Sequence, residues 1–271
     1  MQPQHITSRQ NARVKEAAKL RLARQRERQG RFLIDGAREI LRAIEAGVEI
    51  LESFVCEPLV GDDEAQRAVA QLAETHAVRA TVTAEVFEKL CFGERGGGVL
   101  AVAKTPVRGL DQLKLPASPL IAVIEGVEKP GNVGAVLRSA DGAGVDAVVI
   151  ADPRTDLFNP NTIRASLGTV FAANVCAATT EQTLAWLREL GVQAFAARPE
   201  AELLYTETDY RGGAAIVLGS EADGLSPKWQ DETVTGVRLP MRGIADSLNV
   251  SATAAVMFYE AQRQRHLAPG Q

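Results

Sequence analysis

Residues 120–138 read LIAVIEGVEKPGNVGAVLR. An apolar run breaks into acid, glycine, proline and asparagine, then continues in a helical pattern that closes on an arginine. Two later stretches repeat the arrangement: Ala214–Leu218 runs into GSEADGLS (219–226), and Val237–Leu239 into PMRGIADSLNVSAT (240–253). Strands buried on both faces read as continuous apolar runs, and open parallel sheets bind ligands beyond the carboxyl ends of their strands. The three loops are therefore expected to meet at one site although they lie far apart in the chain.

Outward from these runs, strands and helices alternate. Strands are expected at 120–124, 146–151, 174–177, 192–197, 214–218 and 234–239. Helices are expected at 132–143, within 153–167, at 181–190 and at 250–263. That is a parallel α/β pattern. Upstream, one basic helix over Arg9–Arg28 precedes alternating strands (31–35, 50–57, 78–82, 99–104) and helices (36–46, 62–76, 84–91), a smaller α/β unit. Pro106, Pro116 and Pro119, with Gly109 and Ser118, punctuate the chain between the two patterns. This division predicts a first domain at 1–107, a linker at 108–118 and a second domain at 119–271.

Composition narrows the chemistry. At 271 residues and 46% hydrophobic content, two domains with sizeable cores are expected. MQPQHITSRQ has no apolar h-region and no run is long enough to span a bilayer, so a cytoplasmic protein with no membrane association is expected. Cys56, Cys91 and Cys176 are widely spaced with no CxxC, which suits reduced thiols rather than a disulfide framework or a metal site. His5, His76 and His266 all lie outside the loops, which argues against a histidine-centred hydrolase. The net charge is −4, yet residues 9–31 hold nine basic side chains against Glu16 and Glu27. Such a block on an acidic chain is a candidate footprint for a phosphate backbone, or else a solvated helix face.

Within the first loop, Asn132 suits a helix N-cap and Arg138 lies further along the helix. In the second, Glu221 sits among Gly219, Ser220 and Gly224. In the third, Ser247, Asn249 and Ser251 alternate with Leu248 and Val250, and Ser247 or Asn249 suits a second cap. The segment after the first strand lacks GxGxxG and the chain has no P-loop, which disfavours a nucleotide-dependent enzyme.

Taken in order, NVGAVLR (132–138), LGSEADGLS (218–226) and LPMRGIADSLNVSAT (239–253) resemble the three motifs of the SpoU (TrmH-like) RNA 2′-O-ribose methyltransferases, members of the SPOUT class. IRASLGTVF (163–171) is similar to the stretch these proteins carry between the first two motifs. RFLIDGAREILRAIEAG (31–47) and GVLAVAK (98–104) are similar, more loosely, to the L30e-like substrate-binding domain of many members. The resemblance implies an α/β domain whose C-terminal connections form a deep trefoil knot in place of a plain doubly wound sheet. It further implies S-adenosylmethionine as cofactor, no metal, and a homodimer through the C-terminal domain. Carried over by position, Gly219, Leu239 and Leu248 line the cofactor site, with Leu218, Pro240 and Asn249 nearby. Arg138, Asn132, Glu221, Ser247 and Asn249 are the implied catalytic set: Arg138 at the ribose and phosphate, Asn132 orienting loop or ribose, Glu221 supporting the arginine and its own loop. The expected substrate is structured RNA, with ribosomal RNA ahead of transfer RNA. A non-catalytic RNA-binding or ribosome-assembly factor is the contrasting reading, and the intact motif residues argue against it.

Overall fold

The computed structural model describes residues 3–92, 97–172 and 174–266. They form two compact units, one of Met1–Val107 with Asp156–Ala172, the other of Arg108–Thr155 with Ala173–Gln271.

In the first unit, β1 (Gln4–Ile6), β2 (Arg31–Asp35), β3 (Ile50–Val55), β4 (Val78–Val82) and β5 (Val99–Lys104) form one sheet in the order β1-β4-β3-β5-β2. Strands β1, β4 and β3 run parallel, and β5 lies antiparallel to both β3 and β2. The three-residue edge strand β1 lies outside the sequence expectation, being too short to show a period. Helices α1 (Ala12–Lys19), α2 (Ala23–Gln29), α3 (Ala37–Glu45), α4 (Asp63–Glu74) and α5 (Ala84–Leu90) complete it. Val14, Leu20, Phe54, Phe87 and Leu90 are buried in its core, each side chain contributing about 1.5–3 kcal/mol by its removal from water.

The single helix expected over Arg9–Arg28 is instead two. The amides of Leu20 and Leu22 bond to carbonyls three residues back, Ala17 and Lys19, tightening and ending the first helix. Leu22 is then extended, at φ −91° and ψ 127°, ahead of α2. The break buries Leu20 and leaves Leu22 exposed. It also turns Arg26 inward, where Nη1 donates to the Leu20 and Arg21 carbonyls at 2.7 and 2.8 Å. One basic residue of the block thus seals the carbonyls that the break leaves open.

The second unit is a six-stranded sheet of β6 (Leu120–Glu125), β7 (Ala147–Ala151), β8 (Val175–Ala178), β9 (Gln193–Ala197), β10 (Ala214–Leu218) and β11 (Val234–Val237). Its order is β11-β9-β10-β6-β7-β8 and every pairing is parallel. β6 and β10 lie side by side at its centre, every residue of β10 buried. Helix α6 (Pro130–Gly142) follows β6, and the stretch after β7 carries α7 (Pro160–Ala165); α8 (Thr180–Glu189) and α9 (Val250–His266) come later, α9 packing on α6. The strand expected to continue to Leu239 leaves β9 at Val237. Arg238 pairs instead with Leu204, its amide donating to the Leu203 carbonyl at 2.9 Å.

Residues 156–172, which include α7, pack within the first unit. Phe158 stacks on Phe32 at 4.6 Å between ring centroids, and Phe171 lies 5.9 Å from Phe32. Arg26 pairs with Asp156, Arg42 donates to the Leu167 carbonyl at 2.6 Å, and Arg164 lies 3.4 Å from the buried Asp35 carboxylate. Aromatic stacking and three arginines hold this stretch where the strand–helix pattern alone reads a continuous second domain. Among the described residues, no helix is long and apolar enough to cross a membrane.

Candidate functional site

The second and third loops meet at a cavity of about 220 Å³ beyond the carboxyl ends of β9, β10 and β11. From β10, Leu218 and Gly219 line it; from the segment after β11, Leu239 and Leu248 do so, with Ser247 beside them. Pro240, Asn249, Asn132 and Arg138 are not part of the lining.

The second loop is a tight hairpin. Ser220 and Gly224 exchange backbone hydrogen bonds at 3.0 and 3.1 Å, with Gly224 at φ +66°. Gly219 lies so close across this turn that a Cβ there would sit 2.3 Å from the Gly224 carbonyl carbon. Only glycine fits, because backbone cannot yield as a flexible side chain can.

Asn132 is not the cap of α6, as the sequence suggested. Lys129 occupies that position because Pro130, whose fixed φ suits the first helical residue, starts the helix two residues earlier. Asn132 is thereby placed in the first turn, and its Nδ2 donates to Glu221 Oε1. Glu221 is thus partnered by Asn132, joining the first and second loops. Arg138 is exposed on α6, and its side chain makes no hydrogen bond or ion pair among the described residues. Arg154, from the loop after β7, adds ion pairs to Glu128 at 2.7 Å and Asp223 at 3.0 Å; together they hold its guanidinium above its ordinary pKa.

Asn249 caps α9. Its Oδ1 accepts from the Ser251 amide at 2.9 Å and the Ser251 hydroxyl at 2.6 Å, while its carbonyl accepts from Ala252 and Thr253. Leu248, just before the cap, lies on the cavity wall and is 42% exposed. Ile244, in the same loop, is fully exposed.

The sequence reading missed the third wall, Ala197–Pro199 at the end of β9, and Met241, Asp246, Val250 and Thr253. The signal was present: FAARP (195–199) is another apolar run broken by arginine and proline. Arg198 Nη2 is buried without a hydrogen-bond partner among the described residues. No group of three or more potential metal ligands occurs among the described residues.

Residues 119–259 match the SpoU rRNA Methylase family, and residues 11–101 match the MRM3-like substrate binding domain. The 23S rRNA (guanosine(2553)-2′-O)-methyltransferase RlmP of Bacillus subtilis (strain 168) is 29% identical over 254 residues, covering 94% of this chain and 97% of that protein. The 23S rRNA (guanosine-2′-O-)-methyltransferase RlmB of Coxiella burnetii (strain RSA 493 / Nine Mile phase I) is 32% identical over 212 residues, 75% of this chain and 84% of that protein. A crystal structure of an RNA 2′-O ribose methyltransferase superposes with a TM-score of 0.84 at 43% identity, covering 97% of this chain and all of the other. That of an AdoMet-bound rRNA methyltransferase from Sinorhizobium meliloti superposes at 0.88 with 26% identity, covering 98% and 99%.

Proposed function

This chain belongs to the SpoU rRNA Methylase family, and from that premise we propose how its own residues carry out the reaction. It is an S-adenosylmethionine-dependent RNA 2′-O-ribose methyltransferase, and its substrate is ribosomal RNA. The observation that carries the site assignment is the meeting of the second and third motif loops at one cavity, with the first loop hydrogen-bonded to the second.

The cavity residues suit the cofactor. Leu218, Leu239, Leu248 and Val250 offer an apolar wall for an adenosyl group, and Glu221 and Asp246 line the same space with carboxylates that favour a sulfonium cation. Bound there, S-adenosylmethionine supplies a methyl group activated by the positive sulfur. We assign Gly219, Leu239 and Leu248 to the cofactor, with Leu218 beside them and Pro240 and Asn249 shaping the loop.

Arg138 is assigned to the RNA. A guanidinium stays protonated in proteins, so it holds a phosphate and stabilises negative charge developing on the 2′-oxygen instead of removing the proton. Its exposure and lack of an internal partner suit that role. Asn132 and Glu221 hold the first and second loops together, Ser247 shapes the third, and much of the acceleration comes from positioning. A homodimer through the second unit fits the exposed Val256 and Tyr259 on α9. The trefoil knot is assigned to the connections after β10, and residues 1–107 to substrate RNA.

Purified protein incubated with methyl-labelled S-adenosylmethionine and total RNA should label ribose 2′-oxygens of ribosomal RNA. Arg138→Ala should abolish labelling while cofactor affinity, read by calorimetry, stays within about threefold, since a phosphate contact is lost and no cavity wall. Full activity in that variant, or label confined to transfer RNA, would refute the assignment.

A further inference from the structure

At the carboxyl end of central strand β6 stands a carboxylic side chain that none of the three motif roles uses. Glu125 is 5% exposed. Its Oε1 accepts from the hydroxyls of Thr180 and Ser226, both at 2.7 Å, and its Oε2 accepts from the Ser226 amide at 2.7 Å. Three short bonds on one buried carboxyl group are a costly arrangement to break, because each donor would lose its partner away from water.

The partners show what the arrangement does. Thr180 opens α8, and Ser226 is the last residue of the GSEADGLS loop, leading into the short turn Pro227–Trp229. The loop's first residues, Gly219 to Glu221, line the cavity together with Leu218 at the end of β10. Leu225 packs against the hydrophobic core beside it, and the loop's polar ties to other elements on its cavity side are at the surface: Glu221 receives Asn132, and Asp223 pairs with Arg154 with both side chains half or more exposed. Exposed ion pairs hold a loop weakly, and water competes for each of them. Glu125 is the buried polar anchor at the far end.

We infer that Glu125 is a positioning residue for the cofactor site: it fixes the outgoing end of the second motif loop so that the Gly219–Gly224 hairpin presents its backbone to S-adenosylmethionine. This rests on the cofactor assignment above. The side chain itself touches no substrate. Its action is through Ser226 and Thr180, and hydrogen bonding suffices for it. Glutamine can reproduce the pattern, because both hydroxyls can rotate to accept from an amide nitrogen placed at Oε1 while the amide oxygen accepts from the Ser226 backbone.

The test is cofactor binding to the full chain, by calorimetry with S-adenosylmethionine and with its demethylated product, beside thermal melting without ligand. Glu125→Leu should raise the dissociation constant about tenfold or more, and Glu125→Gln should stay within about threefold of wild type. The loss should appear in kcat/KM for the cofactor more than in kcat at saturation. Should Glu125→Leu not fold, the double variant Thr180→Val with Ser226→Ala removes two of the three donors and should weaken binding in the same direction. A folded leucine variant that melts lower yet binds the cofactor as wild type does would reduce Glu125 to fold support and overturn the inference. Wild-type protein that binds no S-adenosylmethionine would instead overturn the cofactor assignment, and this inference with it.

Discussion

Replacing Lys15, Arg24 and Arg28 together by alanine should weaken binding to ribosomal RNA and flatten its salt dependence. The structure divides the basic block by what each side chain already holds. Arg9 pairs with Glu88, Arg13 with Glu52, Lys19 with Glu16 and Arg26 with Asp156, while Arg21 donates to the Lys89 and Cys91 carbonyls. Lys15, Arg24 and Arg28 are exposed, and none makes a hydrogen bond or ion pair among the described residues. If each neutralises one phosphate, the slope of log affinity against log salt falls by about 0.7–0.9 per contact, or about 2–2.7 for the three. Between about 50 and about 200 mM salt, the gap between wild type and variant should therefore shrink by about 20- to 40-fold. The assay is fluorescence anisotropy or filter binding with a labelled ribosomal RNA fragment across that range. Arg26→Ala is the contrast. It leaves buried carbonyls and a half-exposed Asp156 unpaired and should cost about 3 kcal/mol of stability, the low end for a broken buried pair, with little change in the salt slope. Parallel salt slopes for wild type and triple variant would show that these three cations face only water.

Gly219→Ala should abolish measurable cofactor binding, because its Cβ would sit 2.3 Å from the Gly224 carbonyl carbon and the hairpin must open to admit it; unchanged calorimetric affinity would refute the close-turn account. Burial pushes the Asp35 carboxyl above its ordinary value of 3.8, only partly opposed by the Phe92 amide and the Arg164 guanidinium. Just above pH 3.8 the native state therefore holds this proton more tightly than the unfolded chain, and its contribution to stability falls as pH rises from there through the native pKa. Asp35→Asn lacks that term. Its melting temperature relative to wild type should climb with pH across the window, and a flat difference in paired melting curves would show that Asp35 carries no such shift.

Much of the second unit was legible because buried parallel strands need apolar side chains on both faces. The runs at 120–124 and 214–218 could be read directly, and their neighbours in the sheet proved to be each other. The motif loops were legible as loops for a different reason: glycine, proline and asparagine are placed where local backbone geometry needs them. Gly219 and Gly224 are tied to one turn, and Asn249 to one cap. Roles that depend on a distant partner were harder to read. Asn132 looked like a cap, and its actual bond runs to Glu221, which lies 89 residues away in sequence. Nothing near residue 125 announces that its carboxyl group will close on Thr180 and Ser226. The break after the apolar run at the end of β9 marks a strand end, but Ala197 and Arg198 become a cavity wall only by lying beside β10 and β11.

The basic block shows the same division. Its charge was plain from the residues, since charge is a local property of side chains. Which cations remain available depends on where the chain breaks between α1 and α2 and on which carboxylates and carbonyls that break brings near. Leu20 turned inward and Arg26 followed it, so one arginine became internal structure and its neighbours Arg24 and Arg28 stayed at the surface. The residue order was enough for strands, turns and the family's ordered motifs, because each arises from interactions a few positions apart. The cavity between the motif loops, the burial of Glu125 against Thr180 and Ser226 and the sorting of the arginines depend on pairs far apart in the chain, and those form only once burial makes every unpaired polar group costly.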